Sequence, residues 1–243
     1  TFGFQSIETP CVEHIDNLSS KQGGENEKLI FKIMKRGQKL NLETAKGEGD
    51  LVDSGLRYDL TVPLSRYYAN NANELPAPFK ALQMGNVWRA DRPQRGRFRQ
   101  FMQCDIDILG EPTYLAEIEL ITATTTLLGR LDFSNFTIRI NNRKILKGMA
   151  KFCGFPQESY DDVFIILDKM DKIGMDGVES ELLAGGYGSE AVSKCRELFE
   201  TVTNDIDGVN YIRDTLGDCL EEGTAEDLIT IISTVDQVRD ADF

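Results

Sequence analysis

The sequence predicts an α+β fold: a mainly antiparallel sheet with flanking helices over residues 1–154, then a small all-helical domain over 155–243. Three observations carry that prediction. Two alternating apolar stretches, ALQMGNVW and FMQCDIDIL, flank a turn-rich segment, which is the pattern of an antiparallel hairpin. From Pro156 onward the apolar residues recur at helical spacing in segments punctuated by glycine. Charge divides at the same place: residues 155–243 hold 22 Asp and Glu against 6 Lys and Arg, a net of −16, while residues 1–154 hold 18 against 21. Such an asymmetry points to two domains with different jobs, and it draws a polyanion to the first half and away from the second.

The elements follow in chain order. Residues 4–13, FQSIETPCVE, alternate weakly around Pro10 and read as one strand at an edge or interface. Residues 14–27 are polar with Gly23-Gly24, a loop or short helix. Residues 28–42 read as a hairpin turning at Arg36-Gly37, and residues 47–55 as a glycine-rich acidic loop. That loop lacks the spacing of a Walker phosphate loop. Residues 56–60 read as strand, with a helix starting near Pro63 that places Leu64, Tyr67 and Tyr68 on one face. Asp59 and Thr61 stand just ahead of that start, either as helix caps or as polar groups at a strand end aimed at a ligand.

After the arginine hairpin, Pro112-Thr113 opens a helix to about residue 131. Residues 136–141, FTIRIN, read as a strand, and RKILKGMAKFC as a basic helix stopped at Gly154. Its lysines read as a solvated face. The helical half divides into 159–173, 176–184, 189–203, 208–220 and 224–237, with glycines at 174, 185–186, 208 and 223 between segments, the spacing of a small bundle.

Composition excludes several classes of function. No run of 18 apolar residues is present, so no membrane-spanning helix is expected. The start has no signal-peptide pattern and no initiator Met, which suggests an excerpt of a longer chain. Five dispersed cysteines without a CxxC pair suit a reduced, cytoplasmic protein with free thiols. The single histidine, His14, reads as a surface residue at the start of a helix. Histidine-based metal sites and Ser/His/Asp triads are thereby excluded, and no metal-ligand set is expected.

Residues 88–107, WRADRPQRGRFRQFMQCDID, concentrate Arg89, Arg92, Arg95, Arg97 and Arg99 within eleven residues. Arg92-Pro93 and Arg95-Gly96 supply the turn chemistry. Guanidinium groups are fixed-charge, bidentate donors suited to phosphate, and the alternative is a solvated basic loop.

Taken together, these segments resemble the histidyl-tRNA synthetases, a family of class II aminoacyl-tRNA synthetases. GFQSIETPCVE with Pro10 is similar to the class's first motif. Trp88-Arg89-Ala90-Asp91 followed by Arg97-Phe98-Arg99-Gln100-Phe101 is similar to its second, and LRYDLTVP, QCDIDILG and RINNRKIL extend the match. The resemblance implies ATP-dependent activation of histidine to histidyl-adenylate, with transfer to the 3′ end of tRNA(His) and with Mg²⁺. It implies Arg89 as the catalytic residue on the α-phosphate, Arg97 on the distal phosphates and Phe101 stacked on adenine. Asp91, where the class usually has Glu, completes the ATP set with a shorter reach. For histidine, Asp59 and Thr61 would hold the α-amino group with Gln103 nearby, and Asp107 the imidazole. Asp105 is expected on the opposite strand face. A homodimer through the strand around Pro10 is implied as well.

The family also carries an Arg-Gly-Leu-x-Tyr-Tyr segment and a third motif that these 243 residues do not contain. The expectation is that they form no adenylate alone at a useful rate. The alternative reading is a non-catalytic, synthetase-like regulatory subunit that binds histidine and controls a biosynthetic enzyme. Joint presence of Arg89, Arg97 and Phe101 favours the ligase.

Overall fold

The computed structural model describes residues 2–19 and 28–240. The chain forms two compact units, Thr1–Ala116 and Glu117–Phe243. In the first, β5 (Phe79–Trp88) and β6 (Gln100–Leu109) form the expected hairpin, paired antiparallel from Phe79 opposite Leu109 to Trp88 opposite Gln100. Gly96, at φ +78°, takes the left-handed conformation that the turn between Gln94 and Arg97 demands. Strand β1 (Gln5–Ser6) lies parallel along the free edge of β5. The two faces differ sharply. Phe79, Ala81, Gln83 and Val87 are buried on one, whereas Met84 and Met102 are exposed on the other.

A second sheet has the order β2 (Val12–His14), β4 (Val52–Leu56), β3 (Lys32–Met34). Several local expectations change here. Residues 4–13 are two short strands in different sheets, separated at Thr9-Pro10, not one. Residues 28–42 form no hairpin among the described residues, because β3 pairs antiparallel with β4 rather than with its own continuation. Lys32 also bonds Glu48, and the Lys35 N–H donates to the Leu51 carbonyl at 2.8 Å. The expected loop at 47–55 is therefore one helical turn, α2 (Glu48–Leu51), running into β4, and residues 57–60 beyond it are not strand. Gly23-Gly24 lies outside the described residues. His14 is exposed between β2 and the short helix α1 (Ile15–Leu18), as read from sequence.

Helix α3 (Thr61–Asn71) starts two residues before Pro63. Leu64 is fully covered, and the Tyr67 and Tyr68 rings stand 6.5 and 6.2 Å from that of Phe79. This packing closes one end of the sheet's buried face and leaves the stretch from Phe101 to Asp107 open.

The second unit contains helices at the predicted spacing: α4 (Leu115–Arg130), which begins just before the unit boundary, α5 (Arg143–Cys153), α6 (Tyr160–Leu167), α7 (Met170–Ala184), α8 (Ser189–Thr201), α9 (Ile206–Leu216) and α10 (Thr224–Asp240). Asn142 caps α5 by accepting from the Lys144 N–H, and Gly154 ends it at φ +90°. Ile145 and Met149 face one helical core with Val209 and Leu228, while Cys153 joins a second with Val163, Val178 and Leu182. Each such side chain, removed from water, contributes about 1.5–3 kcal/mol. Both cores use α5, which lies inside the compact unit Glu117–Phe243. Its lysines do face solvent, Lys144 paired with Glu221 at 2.5 Å. Residues 136–141 carry no strand pairing among the described residues, since alternation alone makes no ladder without a neighbouring edge.

Candidate functional site

A buried polar tie sets the open face of the first sheet in place. Arg57, 2% exposed, donates through Nε to the Asn86 carbonyl at 2.9 Å and through Nη1 to the Thr9 carbonyl at 2.6 Å. A Cβ at Gly85 would lie 2.4 Å from Arg57 Nη2, so only glycine admits the guanidinium over β5. Thr9 Oγ1 donates to Gln83 Oε1 at 3.2 Å, and Gln83 Nε2 donates to the Leu60 carbonyl at 3.1 Å. Three segments distant in sequence, around Thr9, Arg57–Leu60 and Gln83–Asn86, are thereby locked together. Sequence reasoning missed Arg57, Thr9 and Gln83. A buried arginine leaves no periodic signal, and the glycine that accommodates it lies beyond α3, in β5.

The segment so fixed carries Asp59, whose Oδ1 accepts from the Val62 N–H at 3.0 Å. Asp59 therefore caps α3 while standing beside the sheet face; the two sequence readings of this residue are compatible. Thr61 is exposed at the first position of α3. Arg89 donates through Nε to the Tyr58 carbonyl at 3.0 Å, and its guanidinium lies 5.1 Å from the Phe101 ring centroid. Along β6 from Phe101 come Gln103, Asp105 and Asp107, opposite Val87, Gly85, Gln83 and Ala81 respectively. Gln103 Oε1 and Asp107 Oδ2 are buried without a hydrogen-bond partner, and such acceptors are costly to leave unmet.

One expectation is corrected here. Asp105 shares a face with Asp107, because strand side chains repeat every second residue and 103, 105 and 107 have the same parity. The parity was legible in the sequence and puts Asp105 inside the site. By contrast, Asp91 and Arg97 stand on the loop between the strands: the Asp91 carbonyl accepts from Arg99 Nε at 3.1 Å, and Arg97 is exposed on the turn with Gln94. The structure thus gathers Asp59, Arg89, Phe101, Gln103 and Asp107, adds Asp105, and leaves Arg97 and Asp91 to the rim.

Electrostatics divides this face into two ends. Burial raises the Asp107 carboxyl above its ordinary value, and Asp105 and then Asp59 raise it further against an opposing Gln83 hydrogen bond. Burial likewise raises Asp105, helped by Asp59 and opposed by Arg89. The Tyr58 phenol is raised by burial and by Asp59. Three crowded carboxylates welcome a cation at one end. At the other, a guanidinium over an aromatic ring offers donors for an anion beside a surface for a planar base. Among the described residues no group of three or more His, Cys, Asp or Glu is arranged to hold a metal ion, and no helix is long and apolar enough to cross a membrane.

Comparison with known proteins matches this geometry to a family. The chain is 49% identical over 193 residues to the histidine–tRNA ligase of Leifsonia xyli subsp. xyli, covering 78% of this chain and 45% of that protein. It is 42% identical to the probable histidine–tRNA ligase of Tropheryma whipplei, over 97% of this chain and 57% of that protein. The chain therefore spans about half the length of the curated relatives it matches. The crystal structure of histidyl-tRNA synthetase from Nostoc sp. PCC 7120 superposes with a TM-score of 0.76 at 28% identity, over 98% of this chain and 52% of that one. An ATP phosphoribosyltransferase regulatory subunit/histidyl-tRNA synthetase from Bacillus halodurans C shares the fold, at TM-score 0.68 and 17% identity. With the histidyl-tRNA synthetase family model matching residues 1–239 and the motif residues of β5 and β6 converging on one sheet face, the chain belongs to the histidyl-tRNA synthetase family.

Proposed function

We propose that the protein to which this chain belongs is a histidine–tRNA ligase, and that the face of β6 binds histidine and the reacting part of ATP. The observation that carries the proposal is the division of that face: Arg89 over Phe101 at one end, and the unmet acceptors of Gln103 and Asp107 beside Asp59 at the other. In the proposed reaction an oxygen of the histidine carboxylate attacks the α-phosphorus of ATP. The bond to the pyrophosphate oxygen breaks and pyrophosphate leaves. The 3′-terminal ribose hydroxyl of tRNA(His) then attacks the activated carbonyl, and AMP departs.

Arg89, held by the Tyr58 carbonyl, is the catalytic residue in this reading. Negative charge builds at the α-phosphate during attack, so a pre-positioned guanidinium favours the transition state over the ground state. With its one ring face under Arg89, Phe101 keeps the other for adenine. Arg97 and Asp91 approach from the rim, Arg97 toward the distal phosphates and Asp91 toward the adenine amine. Asp59, Thr61 and Gln103 take the α-amino group. Asp107 accepts from the imidazole N–H, which fixes the ring tautomer through a charge-assisted bond. Mg²⁺ would come with the phosphates of ATP and neutralise part of their charge.

Residues 1–154 are proposed as part of the catalytic core and 155–243 as a helical insertion domain. A cytoplasmic homodimer joined near Pro10 completes the proposal. The fold shared with the regulatory subunit keeps a second reading in view, in which histidine binds and ATP does not.

Calorimetric titration with histidine and with ATP tests the proposal without relying on turnover. Asp107→Asn is expected to weaken histidine binding by about 10–100-fold, the loss of one charge-assisted hydrogen bond, and to leave ATP binding unchanged. Arg89→Ala should do the reverse. Absence of histidine binding by the whole wild-type protein overturns the proposal; histidine binding without ATP binding selects the regulatory reading.

A further inference from the structure

Resting on the histidine site just proposed, we infer that Asp105 is a further ligand for the amino acid, accepting from its α-ammonium between Asp59 and Gln103. The register carries the argument. Asp105 stands opposite Gln83, between Gln103 and Asp107, on the face whose acceptors are unmet. Gln83 is not a structural partner for it: Oε1 accepts from Thr9, and the amide N–H groups go to the Leu60 carbonyl and to Asp107. Among the described residues Asp105 has no ion pair with Lys or Arg. Asp59, by contrast, has a structural use of its own, capping α3.

Charge and donor count then assign the ligand. Beside burial, Asp59 raises the proton affinity of both Asp105 and Asp107, and Asp105 that of Asp107, while Arg89 acts on Asp105 but is not among the influences on Asp107. Asp105 is therefore the carboxylate nearer the phosphate end, and Asp107 the one farther from it. In a bound histidine the ammonium sits one carbon from the reacting carboxylate, and the ring lies farther away. An ammonium group has three donors, and Asp59 already spends one oxygen on Val62. Thr61 and Gln103 offer neutral acceptors, so Asp105 adds a second negative charge to that of Asp59 beside the ammonium.

The test compares three probes by calorimetry on the whole protein that carries this chain: histidine, histamine, which lacks the carboxylate, and 3-(imidazol-4-yl)propionate, which lacks the ammonium. Asp105→Asn is expected to weaken histidine and histamine by about 10–100-fold and to leave imidazolylpropionate unchanged. Asp105→Glu, which retains the charge, should recover part of the histidine affinity, and it serves as the readout should the Asn variant fail to fold. Equal weakening of imidazolylpropionate would place Asp105 on the ring and overturn the inference. So would unchanged histidine binding in both variants, while the site itself stands. If the whole wild-type protein binds none of the three probes, the histidine site falls and this inference with it.

Discussion

At the scale of single residues, the site is held against its own repulsion. Asp105 and Asp107 keep their protons more tightly folded than unfolded, chiefly because they are buried. A carboxyl raised in this way favours the folded state fully only below its unfolded value of about 4, and that contribution is lost as pH rises through the higher folded value. At neutral pH both residues therefore oppose folding of the empty chain. Asp107→Asn should raise the melting temperature at pH 7, and the gain should shrink as pH approaches 4, where the wild-type carboxyl is itself protonated. Differential scanning fluorimetry across that range reads the effect; a gain that persists unchanged at pH 4 would count against it. Glu13 shows the opposite design. It is buried, and Arg66 meets it through both Nε and Nη2, at 3.0 and 2.5 Å. Arg66→Ala leaves that charge without its partner, and the expected loss is about 3–5 kcal/mol in urea unfolding.

At the scale of elements, what was legible depended on whether a segment's partner is close in sequence. The hairpin of β5 and β6 pairs with itself across a turn, so alternation and turn residues sufficed to read it. Strands β3 and β4 are separated by a 3-10 turn at Gly37–Lys39 and by α2, and which edge β3 would choose was not encoded in its own pattern. The helices were legible from spacing and glycine, with two exceptions. The segment 159–173 is not one helix: α6 ends at Leu167, and α7 starts at Met170 and runs past Gly174, where the backbone leaves helical geometry at φ +68°. Gly208 does not separate helices but sits in the first turn of α9, where its N–H donates to the Asp205 cap at 2.9 Å. A Cβ there would lie 1.9 Å from the Thr203 carbonyl oxygen, which is backbone and cannot swing aside. Gly208→Ala should therefore destabilise the helical unit by about 2–3 kcal/mol despite alanine's better helix propensity. Loss of ellipticity at 222 nm during urea unfolding checks it, and a neutral or stabilising result would show that the turn relaxes freely. In the site, the motif residues were legible from the family resemblance. The tie that positions them was not, because Arg57, Thr9, Gln83 and Gly85 meet only when three segments come together.

At the scale of the whole molecule, charge separates the surfaces that phosphate can use. Residues 1–154 are slightly basic, with arginines gathered around one hairpin, while residues 155–243 carry a net of −16. The few cations of the helical half are largely committed. Lys169 pairs with Glu181 at 2.6 Å and Lys194 with Glu190 at 2.9 Å, and Arg196 is gripped by Asp176, Glu179 and Glu200 within 2.8 Å. A phosphate approaching those lysines must displace a carboxylate that is already in place, and it does so inside a repulsive field. Any contact between this half and tRNA then depends on shape and hydrogen bonding rather than on counterion release. The proposal predicts two different salt dependences. Alanine at Lys169, Lys172 and Lys194 together should leave the slope of tRNA affinity against salt concentration unchanged, whereas Arg95→Ala on the exposed turn should lower it by about one phosphate contact. Filter binding across a salt series separates them: a slope reduced by the three lysine substitutions, or untouched by the arginine, would mean that the helical half rather than the hairpin carries the phosphate contacts.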